Sequence, residues 1–289
     1  MRWRAGAVVL AVAFAGSAAG QGASPITIVA AENFYGDLAR QLAGPDAAIS
    51  SILSNPDQDP HLFEASPSVA RALSGARIVI SNGADYDPWI ARLLRAAKSP
   101  ARQSIVVADL ARKKPGDNPH LWYDPAIMVL AANAVSASLV RADPAHAPLY
   151  AERLTAFTQS LKPLEARIAA LKAQFAGMAV TATEPVAGYL VAALGLTMRN
   201  ERFQLAVMNE TEPRVSDVAA FERDLREHRV RALIYNSQAS NNAARRLLGI
   251  AREAGIPVVG VTETEPAGTS YQAWMSSQLE ALAAALAKP

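Results

Sequence analysis

The chain has 289 residues, of which 51% are hydrophobic and 19% charged, and it contains no cysteine. This is the composition of an ordinary globular protein with one large or two medium domains, which excludes extended disorder. Without cysteine we expect neither disulfide bonds nor a lipid anchor on an N-terminal cysteine. The 28 basic and 26 acidic residues nearly cancel, so we expect no nucleic-acid binding.

Residues 1–20 have the layout of a cleavable secretion signal. Arg2 and Arg4 precede an apolar run, and small residues follow it, with cleavage expected near Gly20 or Ala23. Loss of this segment removes two of the 28 bases and no acid, which leaves 26 bases against 26 acids. No later segment reads as a membrane span, which needs about eighteen apolar residues. We therefore expect a free protein in the periplasm of a two-membrane bacterium.

Strands and helices alternate along the first part of the chain. Predicted strands cover ITIVAA (26–31), AISSIL (48–53), RIVISNG (77–83) and SIVVADL (104–110). Predicted helices lie between them and cover ENFYGDLARQLAG (32–44), SPSVARALSGA (66–76) and DPWIARLLRAA (87–97). This alternation predicts strands that pair in parallel.

The middle of the chain, from Pro125 to Phe175, shows only helical patterns. The pattern is interrupted at Pro144 and Pro148, and Pro163 predicts a kink or break in the long helix that follows, because proline removes one helical hydrogen bond.

Alternation resumes after Gly177. Predicted strands cover 178–183, 230–238 and 256–263, and predicted helices cover 188–195, 215–229, 241–255 and 270–287. The fold class predicted is α/β, with two lobes joined by a long rigid helix. The predicted boundaries are a signal peptide at 1–20, an N-terminal lobe at 24–145, a linking helix at 146–176 and a C-terminal lobe at 177–289.

Two of the four histidines share a Pro-His-Leu frame. His61 lies in DQDPHLFEASP and His120 in DNPHLWYDP, and each follows a predicted strand. Glu184 and Glu263 also come at strand ends, where parallel α/β sheets collect their ligands. Two imidazoles and two carboxylates are a suitable donor set for Zn²⁺, Mn²⁺ or Fe²⁺. The sequence therefore predicts a metal site between the lobes.

Other residues of the same kinds receive plainer interpretations. His146 and His228 are expected to be solvated. Glu265 competes with Glu263 for the fourth position. The acids expected to fix the imidazole tautomers are Asp57, Asp59 and Asp124.

No enzyme motif of the GxGxxG, GxxxxGK[ST], GxSxG or HExxH type is present in the sequence. The alternatives left open are a secreted metal-dependent hydrolase, with a water beside an unliganded acid such as Glu265, and a receptor for a metal chelate or a small organic solute.

Several stretches in order along the chain resemble the solute-binding proteins of zinc and manganese ABC importers, known as cluster A-I. The matching stretches are ITIVAAENFYGDLARQLAG, DPHLFEASPS, SNGADYDPWI, NPHLWYDP, TEPVAGYLVAALGL and IPVVGVTETEPAGTSYQAWM. The resemblance implies a periplasmic receptor, expected to be monomeric, that delivers its metal to a membrane permease with a separate ATPase subunit. It also implies that the metal ligands are His61, His120, Glu184 and Glu263.

Two departures bear on the metal. Glu263 stands where aspartate is commoner in the family, and the loop ARKKPGDN (111–118) lacks the histidine-rich insertion that zinc-specific members often carry. Glu184 in place of histidine makes the set richer in oxygen, as in manganese-binding members. We therefore expect manganese ahead of zinc, with ferrous iron third, although such a site retains a higher intrinsic affinity for zinc.

Overall fold

The computed structural model describes residues 25–45, 47–55, 63–238 and 242–288. The strands in this part of the chain are β1 (Ile26–Glu32), β2 (Ala47–Leu53), β3 (Ile78–Ser81), β4 (Gln103–Val106), β5 (Ala179–Ala182), β6 (Thr197–Arg199), β7 (Leu233–Asn236) and β8 (Val258–Val261). They form two separate four-stranded sheets, one built from β1–β4 and the other from β5–β8. All pairings are parallel, as the alternating pattern predicts.

Helices cover the faces of both sheets. In the first part of the chain they are α1 (Asn33–Ala43), α2 (Pro67–Gly75), α3 (Pro88–Ala96), α4 (Val107–Leu110) and α5 (Pro125–Ala142). Further on they are α6 (Ala147–Ser160), α7 (Lys162–Phe175), α8 (Gly188–Ala193), α9 (Glu201–Met208), α10 (Val215–Arg226), α11 (Asn242–Glu253) and α12 (Tyr271–Leu286). Helix α1 ends at Gly44, whose φ of 75° places it in the region that glycine adopts without strain.

The two sheets share one topology. Their strand orders are β2-β1-β3-β4 and β6-β5-β7-β8. In each sheet, the strand that comes first in the sequence, β1 or β5, lies in the second position. Strand β1 is apolar on both faces because α1 and α5 cover one side, where Ile28 and Ala30 are buried, while α2 and α3 cover Val29 and Ala31 on the other.

From α5 onward, the connection between the sheets consists of helices. Helix α5 is followed by a short 3₁₀ turn at Pro144–His146 and then by α6 and α7. The break between α6 and α7 falls at Leu161, two residues before Pro163. A proline ring crowds the preceding turn of a helix, which accounts for a break on its N-terminal side.

Three local predictions differ from the structure. Helix α9 and strand β6 are absent from the sequence prediction. For β6 the reason is that three residues are too few to show the period of a strand and that this strand lies at the edge of the sheet. The strand predicted at 104–110 ends at Val106, and the next four residues form α4. Asn200, with φ at 61°, turns the chain from β6 into α9.

Helix α5 departs from the expectation that no later segment resembles a membrane span. Pro125–Ala142 has the length for one, and its mean hydropathy is 1.5, although 50% of it is buried inside the protein. It is the only such helix among the described residues. Its apolar side packs against α1 and α6 in the core.

Candidate metal centre

His120 lies in the loop between α4 and α5, and its side chain is wholly buried. Its Nδ1 lies 2.7 Å from Oδ1 of Asn118, and its backbone N–H donates to the same oxygen at 3.1 Å. Its Nε2 is buried and has no hydrogen-bond partner among the described residues. Because Asn118 Oδ1 can only accept, Nδ1 carries a proton, and in the neutral imidazole this leaves the lone pair on Nε2.

The orientation of the Asn118 amide is fixed independently. Its Nδ2 donates to the carbonyl oxygen of Pro185 at 2.7 Å, which leaves Oδ1 toward His120. A Cβ on Gly188 would lie 2.7 Å from this Nδ2, so a larger residue at 188 would force the Asn118 side chain to shift. Tyr189 donates to the Asn118 carbonyl at 2.8 Å. One asparagine thus joins the His120 loop to the segment that follows Glu184.

Glu263 follows β8 and reaches His120 across the lobes. Its Oε2 lies 3.4 Å from Nε2 of His120 and accepts a hydrogen bond from the Tyr86 hydroxyl at 2.9 Å. Both Glu263 and His120 are fully shielded from solvent. Burial, followed by the charge of Glu263, raises the pKa of Tyr86 well above its ordinary value, so Tyr86 remains a donor. The structure therefore brings these two predicted ligands together.

Glu184 and Glu263 are linked by Asn236, which ends β7 and is not among the predicted site residues. Its Nδ2 donates to Glu184 Oε2 at 3.0 Å and to Glu263 Oε1 at 2.5 Å. Asn236 is 2% exposed and Glu184 is 5% exposed. A buried amide between two carboxylates offsets part of their mutual repulsion without adding charge.

Glu265 points elsewhere. Its backbone N–H and carbonyl both bond to the side chain of Asn33, at 3.0 and 2.7 Å. Burial, followed by the charge of Asp37 on α1, raises the pKa of Glu265 to about 8. Glu263 rather than Glu265 therefore faces His120.

The remaining predicted residues have mixed outcomes. His61, Asp57 and Asp59 lie outside the described residues. Asp124 does not fix the His120 tautomer, since it caps α5 by accepting from the backbone N–H of Ala126, and Asn118 takes that role. His146 is exposed and contacts Asp143.

A further buried carboxyl group, that of Glu32, lies near Tyr86 and Asp87. Glu32 ends β1, is fully buried and lies beside the carboxyl group of Asp87. Burial, followed by the charge of Asp87, raises the pKa of Glu32 well above its ordinary value. Asp87 itself accepts from the backbone N–H groups of Asn82 and Gly83 at 2.7 and 2.8 Å.

The described residues contain no group of three His, Cys, Asp or Glu side chains placed closely enough to hold a metal ion. Within them the donors are the pair of His120 and Glu263, with Glu184 joined through Asn236. The remaining predicted ligand, His61, lies outside the described residues.

Residues 28–285 match the family model for ZnuA, described as zinc-uptake complex component A, periplasmic. The chain belongs to the ZnuA family. The match covers both sheets and the helices that connect them, and it confirms the zinc and manganese family predicted from the sequence.

Relatives of this ZnuA-family chain are similar along almost its whole length. The metal ABC transporter substrate-binding lipoprotein SloC of Streptococcus mutans is 22% identical, over 91% of this chain and 90% of the relative. The manganese ABC transporter substrate-binding lipoprotein PsaA of Streptococcus anginosus is 21% identical, with the same coverage. The periplasmic zinc-binding protein TroA of Treponema pallidum has a TM-score of 0.76 and 18% identity, covering 91% of this chain and 100% of its own. The last similarity confirms the two-lobed α/β fold.

Proposed function

We propose that this protein is the extracytoplasmic binding component of a metal ABC importer, which captures one divalent transition metal ion between its lobes. The ligands we assign are His61, His120, Glu184 and Glu263. The proposal rests first on Nε2 of His120. This buried imidazole nitrogen lies 3.4 Å from a carboxylate oxygen of Glu263 and has no hydrogen-bond partner in the part of the chain that the structure describes.

A buried imidazole nitrogen that lacks a hydrogen-bond donor or a metal ion lowers the stability of the folded protein. Leaving such an acceptor without a partner costs about 1–3 kcal/mol, and a metal ion between Nε2 and the carboxylate satisfies both groups. The tautomer required for metal binding is already set by Asn118. This orientation by an outer partner is typical of histidines that bind metals.

The metal we favour is manganese, ahead of zinc and then ferrous iron. Two carboxylates and two imidazoles form an oxygen-rich set, which relaxes the usual preference for zinc without reversing it. Relatives are named for manganese, as PsaA is, and for iron, as is MtsA of Streptococcus pyogenes. Availability in the surroundings then decides which ion is carried.

The partner we propose is a membrane permease that works with a separate ATPase subunit, and the protein itself makes or breaks no bond in its cargo. Four side-chain ligands would fill a tetrahedral shell, whereas hydrolytic metal sites keep a position open for water. We also propose a free periplasmic monomer that binds no nucleic acid. SloC and PsaA, by contrast, are named lipoproteins.

The test is a titration of protein stripped of metal by a chelator. Mn²⁺ and Zn²⁺ are each expected to bind at one ion per chain, with competition between them, and the loaded protein is expected to stimulate ATP hydrolysis by its permease in proteoliposomes. Absence of binding by both ions would contradict the proposal. Fractionation of cells by osmotic shock tests the free periplasmic form, which membrane retention would contradict.

A further inference from the structure

The segment that carries Glu263, between β8 and α12, is held at both of its ends by the N-terminal lobe. The carbonyl oxygen of Thr262 accepts a hydrogen bond from the Tyr123 hydroxyl at 2.8 Å. The backbone N–H and carbonyl of Glu265 bond to the side chain of Asn33 at 3.0 and 2.7 Å. Side chains of one lobe therefore hold the backbone of the other lobe on either side of Glu263.

The C-terminal lobe holds the middle of the same segment. Oε1 of Gln238, which lies just after β7, accepts from the backbone N–H groups of Glu263 and Thr264 at 2.5 and 3.0 Å. Its Nε2 donates to the Thr264 hydroxyl at 2.6 Å. These bonds lie within one lobe, so a movement of one lobe against the other leaves them intact, whereas it strains the bonds at the two ends.

Helix α1 continues the contact from the N-terminal lobe. Asn33, Asp37 and Gln41 follow one another at a spacing of four residues and so share one face of the helix. Asp37 accepts from the backbone N–H of Tyr271 at 3.0 Å. Gln41 and Gln272 exchange two amide hydrogen bonds, at 3.0 and 2.9 Å. The polar face of α1 thus holds the chain from the Glu263 segment into the start of α12.

The anchor at Thr262 also joins the two proposed ligands mechanically. Tyr123 ends the 3₁₀ turn Leu121–Tyr123, which directly follows His120. Hydrogen bonds of 2.7–3.0 Å between the lobes are lost when the lobes separate by about 1 Å. A small opening is therefore enough to free both ends of the Glu263 segment.

We infer that Asn33 and Tyr123 are positioning residues that keep Glu263 directed at His120 only while the lobes are closed, so that a small opening releases the segment and weakens the hold on the metal. The inference rests on the function proposed above and deepens it by naming the residues that couple lobe movement to metal release. Release by this route needs a shift of packed elements rather than a wide hinge swing.

The test measures the rate at which Zn²⁺ leaves Asn33→Ala and Tyr123→Phe after stopped-flow mixing with excess chelator. We expect the rate to rise about tenfold in each variant, since loss of an outer partner weakens metal binding by at least this factor and such changes act mainly on dissociation. The matched control for Tyr123→Phe is Tyr150→Phe, which removes another buried hydroxyl, bonded to Asp143 at 3.0 Å. Its rate should equal that of the wild type.

An unchanged rate in either variant would overturn the inference. So would an equal rise in Tyr150→Phe, because the loss of any buried hydrogen bond would then explain the effect. Failure of the wild type to bind Zn²⁺ would instead contradict the proposed function, so the two failures are distinguishable.

If the variants fail to fold, hydrogen exchange of the wild type, followed by NMR, decides. Zn²⁺ should slow exchange of the Glu265 amide, held by Asn33 across the lobes, more than that of the Thr264 amide, held by Gln238 within one lobe. Equal slowing of the two amides would overturn the inference.

Discussion

Asn118 is the residue through which the two lobes share control of His120. Its side chain bonds to His120 on one side and to Pro185, next to Glu184, on the other. The contact exists only because Gly188 has no side chain. Any group added there must displace Asn118 and loosen the imidazole.

Gly188→Ala is therefore expected to weaken metal binding by about tenfold, as loss of an outer hydrogen-bond partner does in metal sites. Equilibrium competition with a chelating dye measures the change. The matched control is Gly249→Ala in α11, where an added Cβ meets nothing within 4 Å. Equal metal affinity in both variants would contradict the role assigned to Asn118.

Some of the site can be predicted from residues alone. The repeated Pro-His-Leu frame singled out His120 and the strand ends singled out Glu263, and the structure places these two side chains 3.4 Å apart. Their role as metal ligands stays a prediction. Asn118 and Asn236 were missed because an amide has no preferred role until its neighbours in space are known. The available signals were the position of Asn236 at the end of a predicted strand and of Asn118 two residues before His120.

At the scale of elements, the edge of the C-terminal sheet is held by an ion pair. Arg199, which ends β6, donates two hydrogen bonds to Asp224 on α10, at 2.8 and 3.0 Å. Burial alone would raise the pKa of Asp224, but the hydrogen bonds from Arg199 and Asn200 outweigh it and lower the pKa below the ordinary 3.8. The pair thus ties a strand of three residues, which has little pairing of its own, to a helix.

Asp224→Asn is expected to lower the free energy of unfolding by about 1 kcal/mol at pH 7, the upper end for a pair whose arginine is exposed to solvent. A carboxyl with a lowered folded-state pKa stabilises the protein above its unfolded pKa and loses this effect as the pH falls. The difference from wild type should therefore be full above pH 5 and shrink as the pH drops below 3.8. Urea unfolding at several pH values measures it, and a difference independent of pH would be inconsistent with the pair.

Most elements followed from their patterns, whereas β6 and α9 did not. A long apolar run such as that of β1 predicts a strand well, because both faces of this strand are buried and its residues are therefore apolar throughout. Strand β6 has only three residues, TMR, and gains its place from pairing with β5. Tertiary contacts rather than local preference determine such an element.

At the scale of the whole molecule, the lobes are not separate packing units. One apolar core runs from α1 and β1 through the 121–123 turn to β5, β8 and α12. Phe34 stacks on Trp122 with ring centroids 4.5 Å apart, and Trp274 of α12 lies 5.9 Å from Phe34. Tyr271 donates to the Trp122 carbonyl at 2.8 Å across the same seam. The sequence predicted two lobes but not this seam, because the pattern of a helix does not reveal which element covers it.

A shared core predicts that the chain unfolds in a single cooperative transition. Differential scanning calorimetry should give equal calorimetric and van't Hoff enthalpies. Trp274→Ala, which opens a cavity in the seam, should lower the stability of the whole protein by about 3–5 kcal/mol without splitting the transition. Two resolved transitions, one for each lobe, would be evidence against the shared core.

We propose that His120 binds a metal ion between the lobes. Calorimetric titration of the His120→Ala variant with Mn²⁺ and Zn²⁺ tests this role directly. His146→Ala is the matched control, because His146 is exposed and pairs only with Asp143 in the same surface turn. We expect His120→Ala to lose measurable binding of both ions and His146→Ala to bind one ion per chain, as the wild type does. If His120→Ala bound Mn²⁺ or Zn²⁺ with nearly the affinity of the wild type, His120 would not be a metal ligand.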